Sequence, residues 1–355
     1  MEKIIQAFCP DGTSVSCTEF GHGHINSTFR VTTDTGCRYI LQKINQNVFK
    51  NPPQVMENIS AVTEHLQKKD RDPRHVLHFV RTKQGQYWHR SEDGEYWRMY
   101  AFVDGCCLEA PETDRDFYES AVAFGTFQEQ LSDFPADTLY ETIPEFHNTV
   151  DRYRQFREAV AENRSGRADT CREEIEYALS LEALGGTLQK MREDGTLPLR
   201  VTHNDTKLNN VLLDKETHKG LCILDLDTIM PGLSLYDYGD SIRFGAATCP
   251  EDEPDASKMH IDLHLFRVYT RGFLEAAPSL TAKEVEMMPM GAMIMTLEVG
   301  IRFLKDYLDG DVYFKTAYPE HNLVRARTQL ALVRDMLAHR EEMDAIVQEE
   351  SRSVR

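Results

Sequence analysis

The chain has 355 residues, of which 41% are hydrophobic and 28% charged, as is typical of a globular protein with about two lobes or domains. Its formal net charge of −18 at pH 7 argues against nucleic acid as a partner, because phosphate backbones call for a basic surface. No run approaches the roughly 18 apolar residues that span a bilayer, so no membrane partner is expected.

The N-terminus and the cysteines together predict a cytoplasmic protein. The segment MEKIIQAFCPDG lacks the apolar core and small-residue cleavage site of a secretory signal. The eight cysteines include no C-x-x-C pair, and in a chain of this length they are expected to be reduced thiols.

The N-terminal part of the chain is predicted to be mainly β-strand. Phe29 and Val31 alternate with polar residues, Asp34-Thr35-Gly36 is typical of a turn, and residues 38–42 return as a second strand. The run GHGHINSTF, which leads into this hairpin, is a loop of the kind that places backbone N–H groups over phosphates. A plain tight hairpin that binds no ligand is the alternative.

One helix and three more strands are predicted in the same part of the chain. Apolar residues recur at helical spacing between Pro52 and Lys69. Three short runs then follow, separated by turns that contain glycine: HVLHFV, QGQYWHR and GEYWRMY. Five strands and one helix are typical of the amino-terminal lobe of a protein-kinase-like fold.

From Asp114 onward the apolar residues lie three to four apart, which predicts helices. The predicted segments are 114–131, 150–163, 172–194, 256–276, 281–308 and 323–350. The predicted fold is therefore α+β, a protein-kinase-like two-lobe fold with a β-rich nucleotide lobe over residues 1–103 and a helical lobe over 104–355.

The strand end around Tyr100 and Phe102 is predicted to link the lobes. In such folds the backbone of this link hydrogen-bonds adenine while apolar side chains flank the ring, which makes Tyr100 and Phe102 candidate nucleotide contacts. An ordinary buried strand end is the alternative.

The residues that carry chemistry are concentrated between Arg200 and Gly245. His203, Asp205 and Asn210 form the pattern H-x-D-x-x-x-x-N, and a predicted hairpin then leads to Asp225 and Asp227. This order is typical of phosphoryl-transfer enzymes of the kinase type. Asp205 is expected to orient the attacking hydroxyl, and Asn210 and Asp225 to supply oxygen ligands to Mg²⁺. Asp227 is expected to assist a second metal, to bind substrate or to be a hydrogen-bonded turn residue.

Glu298 and Arg302 lie four residues apart in an otherwise largely apolar helix. A charged residue on a buried face is costly unless it is paired. Either the two pair with each other, or Arg302 projects into the cleft and donates to oxygens of the substrate, with Tyr313 just downstream.

Several long runs carry a family resemblance. RVTHNDTKLNNVLLD, LDLDTIMPG, GDSIRFG, GHGHINSTF, GIRFLKDYLDGDVYF and YPEHNLVRARTQ resemble the aminoglycoside phosphotransferase and choline kinase group, and within it the N-acetylhexosamine 1-kinases. The resemblance covers nearly the whole chain. It implies a kinase that uses ATP and Mg²⁺ to phosphorylate the anomeric hydroxyl of N-acetylglucosamine or N-acetylgalactosamine.

The resemblance also implies roles for further residues. Gly23, Asn26 and Thr28 belong to the nucleotide loop, while His24 and Asn204 are candidate sugar contacts, together with Asp227, Arg302 and Tyr313. One departure concerns the phosphates: Gln42 stands where a Lys or Arg would end the second strand, and its neighbour Lys43 would point to the opposite face.

Two other functions stay open. An aminoglycoside-inactivating kinase, or another small-molecule hydroxyl kinase of the same fold, is one; for a polycationic substrate it predicts additional acids around the cleft. A pseudokinase that binds nucleotide or sugar without chemistry is the other, and the presence of Asp205, Asn210 and Asp225 together counts against it.

Overall fold

A five-stranded antiparallel sheet and one long helix form the N-terminal lobe. The computed structural model describes residues 1–21 and 25–354. The strands run in the order β1-β2-β3-β5-β4, with α1 and α2 beside them. Their bounds are α1 Glu2–Ile5, β1 Ser14–Glu19, β2 Ser27–Thr33, β3 Arg38–Lys43, α2 Pro52–Lys69, β4 His89–Arg90 and β5 Tyr96–Ala101. The predicted hairpin is confirmed as β2 and β3, and the helix as α2.

The two faces of this sheet differ in chemistry. On one face Val31, Leu41 and Met99 are buried in an apolar cluster that also includes Ile5 of α1. On the other face, which faces α2, Gln42 pairs directly with Arg98 in the antiparallel register. Because side chains alternate along a strand, the apolar cluster fixes which residues face the other lobe.

One of the strand predictions for this lobe is wrong, and one strand was not predicted. Residues 75–80 do not form a strand; Val80 donates to Met99 O and Ala101 to His78 O, so only isolated bonds join the segment to β5. The true edge strand, β1, was missed because SVSCTE has no apolar alternation, as suits a strand that is largely exposed.

The C-terminal lobe is mainly helical and contains two small hairpins. Its helices are α3 Asp114–Gln130, α4 Thr149–Glu162, α5 Arg172–Ser180, α6 Glu182–Gly185, α7 Thr187–Glu193, α8 Ser234–Gly245, α9 Leu263–Ala276, α10 Ala282–Glu286, α11 Met288–Asp309, α12 His321–Ala338 and α13 Arg340–Ser353. Its strands are β6 Arg200–Thr202, β7 Val211–Leu213, β8 Gly220–Ile223 and β9 Met230–Gly232, paired as β6–β9 and β7–β8. The two-lobe α+β fold is therefore confirmed.

Helix α11 is the centre of this lobe. It is apolar on almost every side and packs against α4, α8 and α12. Three segments predicted as single helices are interrupted: 172–194 at Leu181 and Gly186, 281–308 at Met287 and 323–350 at His339. Helix α8 was not predicted. Among the described residues, no helix combines the length and the apolar character needed to cross a membrane.

Candidate active site

His203 fixes the backbone of the loop that carries the H-x-D-x-x-x-x-N pattern. Its ring is buried, and Nε2 lies 2.8 Å from the carbonyl oxygen of Leu224. Nε2 therefore carries the proton, and Nδ1 accepts the backbone N–H of Asp205 at 3.3 Å. With both nitrogens engaged in the protein, His203 is a structural brace between the loop and β8.

Two acids of α8 hold the same loop from the other side. Asp237 accepts the backbone N–H groups of His203 and Asn204 at 2.9 and 2.8 Å, and burial raises the pKa of its carboxyl. Asp240 accepts the N–H of Thr206 at 3.0 Å and is paired with Arg243. These bonds anchor the backbone on both sides of Asp205.

Asn204 has an unusual backbone conformation, with φ of +65°. Its side chain is buried, and Nδ2 donates to the carbonyl oxygens of Thr202 and Thr228 at 3.2 and 2.8 Å. The amide donor is thus used to hold the left-handed turn, a conformation that asparagine tolerates better than most residues. The role of Asn204 in binding sugar stays a prediction.

Asp205 is a partly exposed carboxylate with two polar neighbours. Asn210 donates from Nδ2 to the backbone oxygen of Asp205 at 2.8 Å and to its Oδ2 at 3.2 Å, which leaves the amide oxygen of Asn210 for another partner. Lys207 places Nζ 3.0 Å from Oδ1, and the charge of Asp205 raises the pKa of this lysine. Lys207 was not predicted, although its place two residues after Asp205 was visible in the sequence.

Asp225 is brought to this loop by the predicted hairpin, which is confirmed as β7 and β8. Leu224 donates its N–H to the backbone oxygen of Asn210 at 2.8 Å, and Asp225 follows with φ of +53°. Residue 225 is exposed to solvent, although many protein atoms, including two other acids, surround its carboxyl group. Desolvation, followed by the charges of Asp227 and Asp205, raises its pKa to about 7.

These oxygen donors suit a hard divalent cation. The Asp225 carboxylate, whose pKa is raised, and the amide oxygen of Asn210 are the kind of ligands that an ion such as Mg²⁺ prefers. Within 1–21 and 25–354, no group of three or more His, Cys, Asp or Glu side chains is arranged as a metal centre. Asn210 and Asp225 would therefore supply only part of the ligand set, as is usual where phosphates and waters complete it.

Asp227 joins the two lobes and is buried. Arg98 of β5 donates from Nη1 to Oδ1 of this carboxylate in a short contact. Asn26, which precedes β2, donates from Nδ2 to Oδ2 at 2.6 Å. Arg98 was not predicted, because its partner lies 129 residues away and only the strand register directs it to the cleft.

The other predicted nucleotide contacts lie on the sheet side of this junction. Thr28 accepts a hydrogen bond from Gln42 at 3.1 Å. Tyr100 and Phe102 are half-buried at the end of β5, where Phe102 packs edge-on against Phe20 at 5.7 Å. Gly23 and His24 lie outside the described residues.

A buried polar cluster lies on the opposite side of the loop. Glu298 is fully buried and accepts from His147 Nδ1 and Thr149 Oγ1, each at 2.8 Å. The other ring nitrogen of His147 faces the backbone oxygen of Asn204 at 3.4 Å. Glu298 is thus connected to the catalytic loop through one histidine.

The side chain of Arg302, one helical turn after Glu298, lies among aromatic rings. Its guanidinium is 4.0 Å from Glu298 and lies 5.4 to 6.0 Å from the ring centres of Phe146, Tyr313 and Phe314. The loop with Tyr313 is held by Asp306, whose carboxylate accepts the N–H groups of residues 312–314. Arg302 therefore lies near Glu298 and borders an aromatic surface, and its donation to oxygens of the substrate stays a prediction.

Comparison with known proteins gives a family model and several similar folds. Residues 16–269 match the model described as "Phosphotransferase enzyme family". A microcompartment-associated aminopropanol kinase is 16% identical, with 97% of each chain covered and a TM-score of 0.67. A spectinomycin phosphotransferase solved with ADP and spectinomycin is 12% identical, with 96% of this chain and 97% of that chain covered and a TM-score of 0.60. A choline kinase from Cryptosporidium parvum Iowa II is 14% identical, with 94% and 92% covered and a TM-score of 0.57. At these identities the likeness is one of fold.

Proposed function

Since the chain belongs to the phosphotransferase enzyme family, we propose that it is an ATP-dependent kinase that phosphorylates the anomeric C1 hydroxyl of N-acetylhexosamines. The observation that carries the proposal is the gathering of Asp205, Asn210 and Asp225 around one hydrogen-bonded loop, at the junction of the sheet lobe and the helical lobe. The long runs that resemble N-acetylhexosamine 1-kinases support the choice of acceptor.

In the proposed reaction, Asp205 holds the C1 hydroxyl of the sugar in line with the terminal phosphorus of ATP. The sugar oxygen forms the new bond to phosphorus, the bond to the ADP oxygen breaks, and Asp205 accepts the hydroxyl proton late in the transfer. Asn210 and Asp225 would hold Mg²⁺, which offsets charge on the phosphate oxygens. Because the loop backbone is anchored at His203, Asn204 and Thr206, positioning is the main contribution of the protein.

The charges around Arg302 support a neutral acceptor over a polycationic one. Burial and the charge of Arg302 lower the pKa of Arg152, so two guanidinium groups lie near each other on this side of the loop. Two of the acids there and at the lobe junction are already paired, Glu298 with His147 and Asp227 with Arg98. Hydroxyl and amide oxygens of an N-acetylated sugar fit these donors, whereas a polycation meets repulsion.

The acceptor is tested by phosphorus NMR after incubation with ATP, Mg²⁺ and N-acetylglucosamine or N-acetylgalactosamine. We expect a phosphate signal coupled to the anomeric proton. The methyl glycosides of the same sugars, whose C1 oxygen is blocked, should give no product. Transfer to the methyl glycosides, or to an aminoglycoside in place of either free sugar, would overturn the proposed acceptor.

Replacing Arg302 by methionine should raise the KM for the sugar about ten- to a hundredfold, because a charged donor to substrate oxygens is lost. The KM for ATP should change less than twofold. Lys305→Met is the matched control, since it removes another cation of α11 that pairs with Asp309. Equal losses for both substrates in Arg302→Met would assign this arginine a structural role.

A further inference from the structure

Strand β3 carries no cation at the position that faces the lobe junction. Gln42 occupies that position, and its amide donates to Thr28 and accepts from Arg98. The neighbouring Lys43 is on the other face of the strand, where Nζ lies 3.7 Å from Glu95. A nucleotide bound at this junction would find no charged side chain of β3 for its phosphates.

Arg98 brings a cation to the same place from the adjacent strand. It stands directly opposite Gln42 in the β3–β5 register, and Nε donates to Oε1 of Gln42 at 2.9 Å. Only 2% of the residue is exposed, and its Nη1 meets Asp227 of the helical lobe. The guanidinium is therefore held between β3 and Asp227.

The helix beside the sheet does not compete for this guanidinium. In the part of the chain that the structure describes, the one hydrogen-bond partner that α2 offers to Nη1 is the sulfur of Met56, at 3.9 Å. Glu57 of α2 is hydrogen-bonded to Tyr140 instead. Glu64 accepts hydrogen bonds from Arg81 and Tyr87. Among the described residues, hydrogen bonds engage Nε and Nη1, and Nη2 keeps its two N–H groups for a further acceptor.

Three polar side chains extend this arrangement across the sheet. Thr28, Gln42 and Arg98 occupy directly paired positions on β2, β3 and β5, and each is hydrogen-bonded to the next. The row begins beside the glycine-containing loop and ends at Asp227, two residues after Asp225. Lys207, a cation near the site, lies against Asp205 in the helical lobe.

We propose that Arg98 supplies the phosphate-binding cation that β3 lacks, with Gln42 orienting its guanidinium and Nη2 donating to oxygens of the nucleotide diphosphate. The proposal rests on the proposed use of a nucleotide by this site, but it is independent of which sugar is phosphorylated. Guanidinium–phosphate hydrogen bonds are charge-assisted, so their loss should weaken phosphate binding strongly. The alternative is a buried ion pair with Asp227 that only holds the lobes together.

The test compares ADP with adenosine, because only ADP has the phosphates that Arg98 is proposed to bind. In calorimetric titrations at fixed Mg²⁺, Arg98→Met should raise the Kd of ADP about ten- to a hundredfold and change that of adenosine less than threefold. A Kd for ADP that stays within threefold of the wild-type value would overturn the proposal. Equal weakening of both ligands would do so as well, and would favour the structural ion pair.

A second variant, in which the positive charge is moved from residue 98 to residue 42, distinguishes a lost phosphate contact from misfolding. In the double variant Gln42→Lys with Arg98→Met, a cation returns beside Asp227 from the directly opposite position, and ADP affinity should recover at least fivefold relative to Arg98→Met. No recovery in a double variant that melts as the wild type does would contradict the proposal. Arg90→Met, on the exposed strand β4, is the matched control and should leave both affinities unchanged.

The wild-type protein separates this inference from the proposed function. If it binds neither ADP nor ATP, the proposed kinase function fails together with this inference. If it binds both but phosphorylates no N-acetylhexosamine, only the acceptor is wrong.

Discussion

Replacing Asp205 by asparagine should lower kcat for sugar phosphorylation by about 10³-fold or more while changing the Kd of ATP less than threefold. Asparagine has nearly the same shape, so the hydrogen bond from Asn210 to the backbone oxygen of residue 205 is retained. The amide cannot accept the hydroxyl proton, and groups in this role typically contribute 10² to 10⁴ in rate. Coupled detection of ADP measures kcat, and equilibrium titration measures the Kd of ATP.

The control for this variant is Asp137→Asn, which neutralises an exposed acid of the surface and should leave kcat unchanged. Loss of ATP binding in Asp205→Asn, in parallel with kcat, would mean that the loop has rearranged. Thermal melting would reveal such a rearrangement as a lower Tm. The hydrogen bonds that Asp237 and Asp240 accept from the neighbouring backbone N–H groups would be lost as well. Turnover near the wild-type value would contradict the catalytic role of Asp205.

The two-lobe fold and the gathering of Asp205, Asn210 and Asp225 could be predicted from sequence because both depend on local patterns. The loop and Asp225, the proposed metal ligand, are joined by a hairpin of two apolar runs, so their meeting follows from the pairing of β7 with β8. The turn at residues 34–36 predicts the pairing of β2 with β3 in the same way. The order of strands and turns along the chain was sufficient to predict these two hairpins.

The role of Arg98 could not be predicted because it depends on a long-range register. Whether an arginine of β5 faces the apolar cluster or the lobe junction is decided by its pairing with β3, more than 50 residues away. Its partner Asp227 belongs to the other lobe. The sequence showed that β3 has Gln42 in place of a Lys or Arg. Only the structure placed a cation, Arg98, opposite it.

The helix α8 was missed for a related reason. The segment SLYDYGDSIRFG has apolar and polar residues intermixed, because two of its acids point inward to the catalytic loop. Asp237 and Asp240 therefore interrupt the pattern by which an amphipathic helix is recognised. The departure from a regular pattern coincides with the part of the helix that positions Asp205.

Replacing Asp225 by asparagine should lower kcat about 10²- to 10³-fold and raise the Mg²⁺ concentration needed for half-maximal rate about tenfold. An uncharged amide is a weaker ligand for a hard cation than a carboxylate. The ligand-free variant should nevertheless be more stable than the wild type at pH 8. Asp225, with a pKa raised to about 7, is ionised there beside Asp227 and Asp205, and the amide removes that repulsion. Because Asp225 is exposed, solvent screens much of this repulsion, so the rise in Tm is expected to be small, about 1 to 2 °C.

The combination of lower activity with higher stability separates a ligand-binding role from a structural one. Asp214→Ala is the control within the same hairpin, since it removes the carboxylate that accepts the backbone N–H groups of Glu216 and Thr217 and closes the turn. Its loss should lower Tm and leave kcat unchanged, the opposite of the result expected for Asp225→Asn. If Asp225→Asn instead lowers both Tm and kcat, Asp225 is a structural residue of the turn after β8. Retention of full activity at low Mg²⁺ would remove it from the metal site.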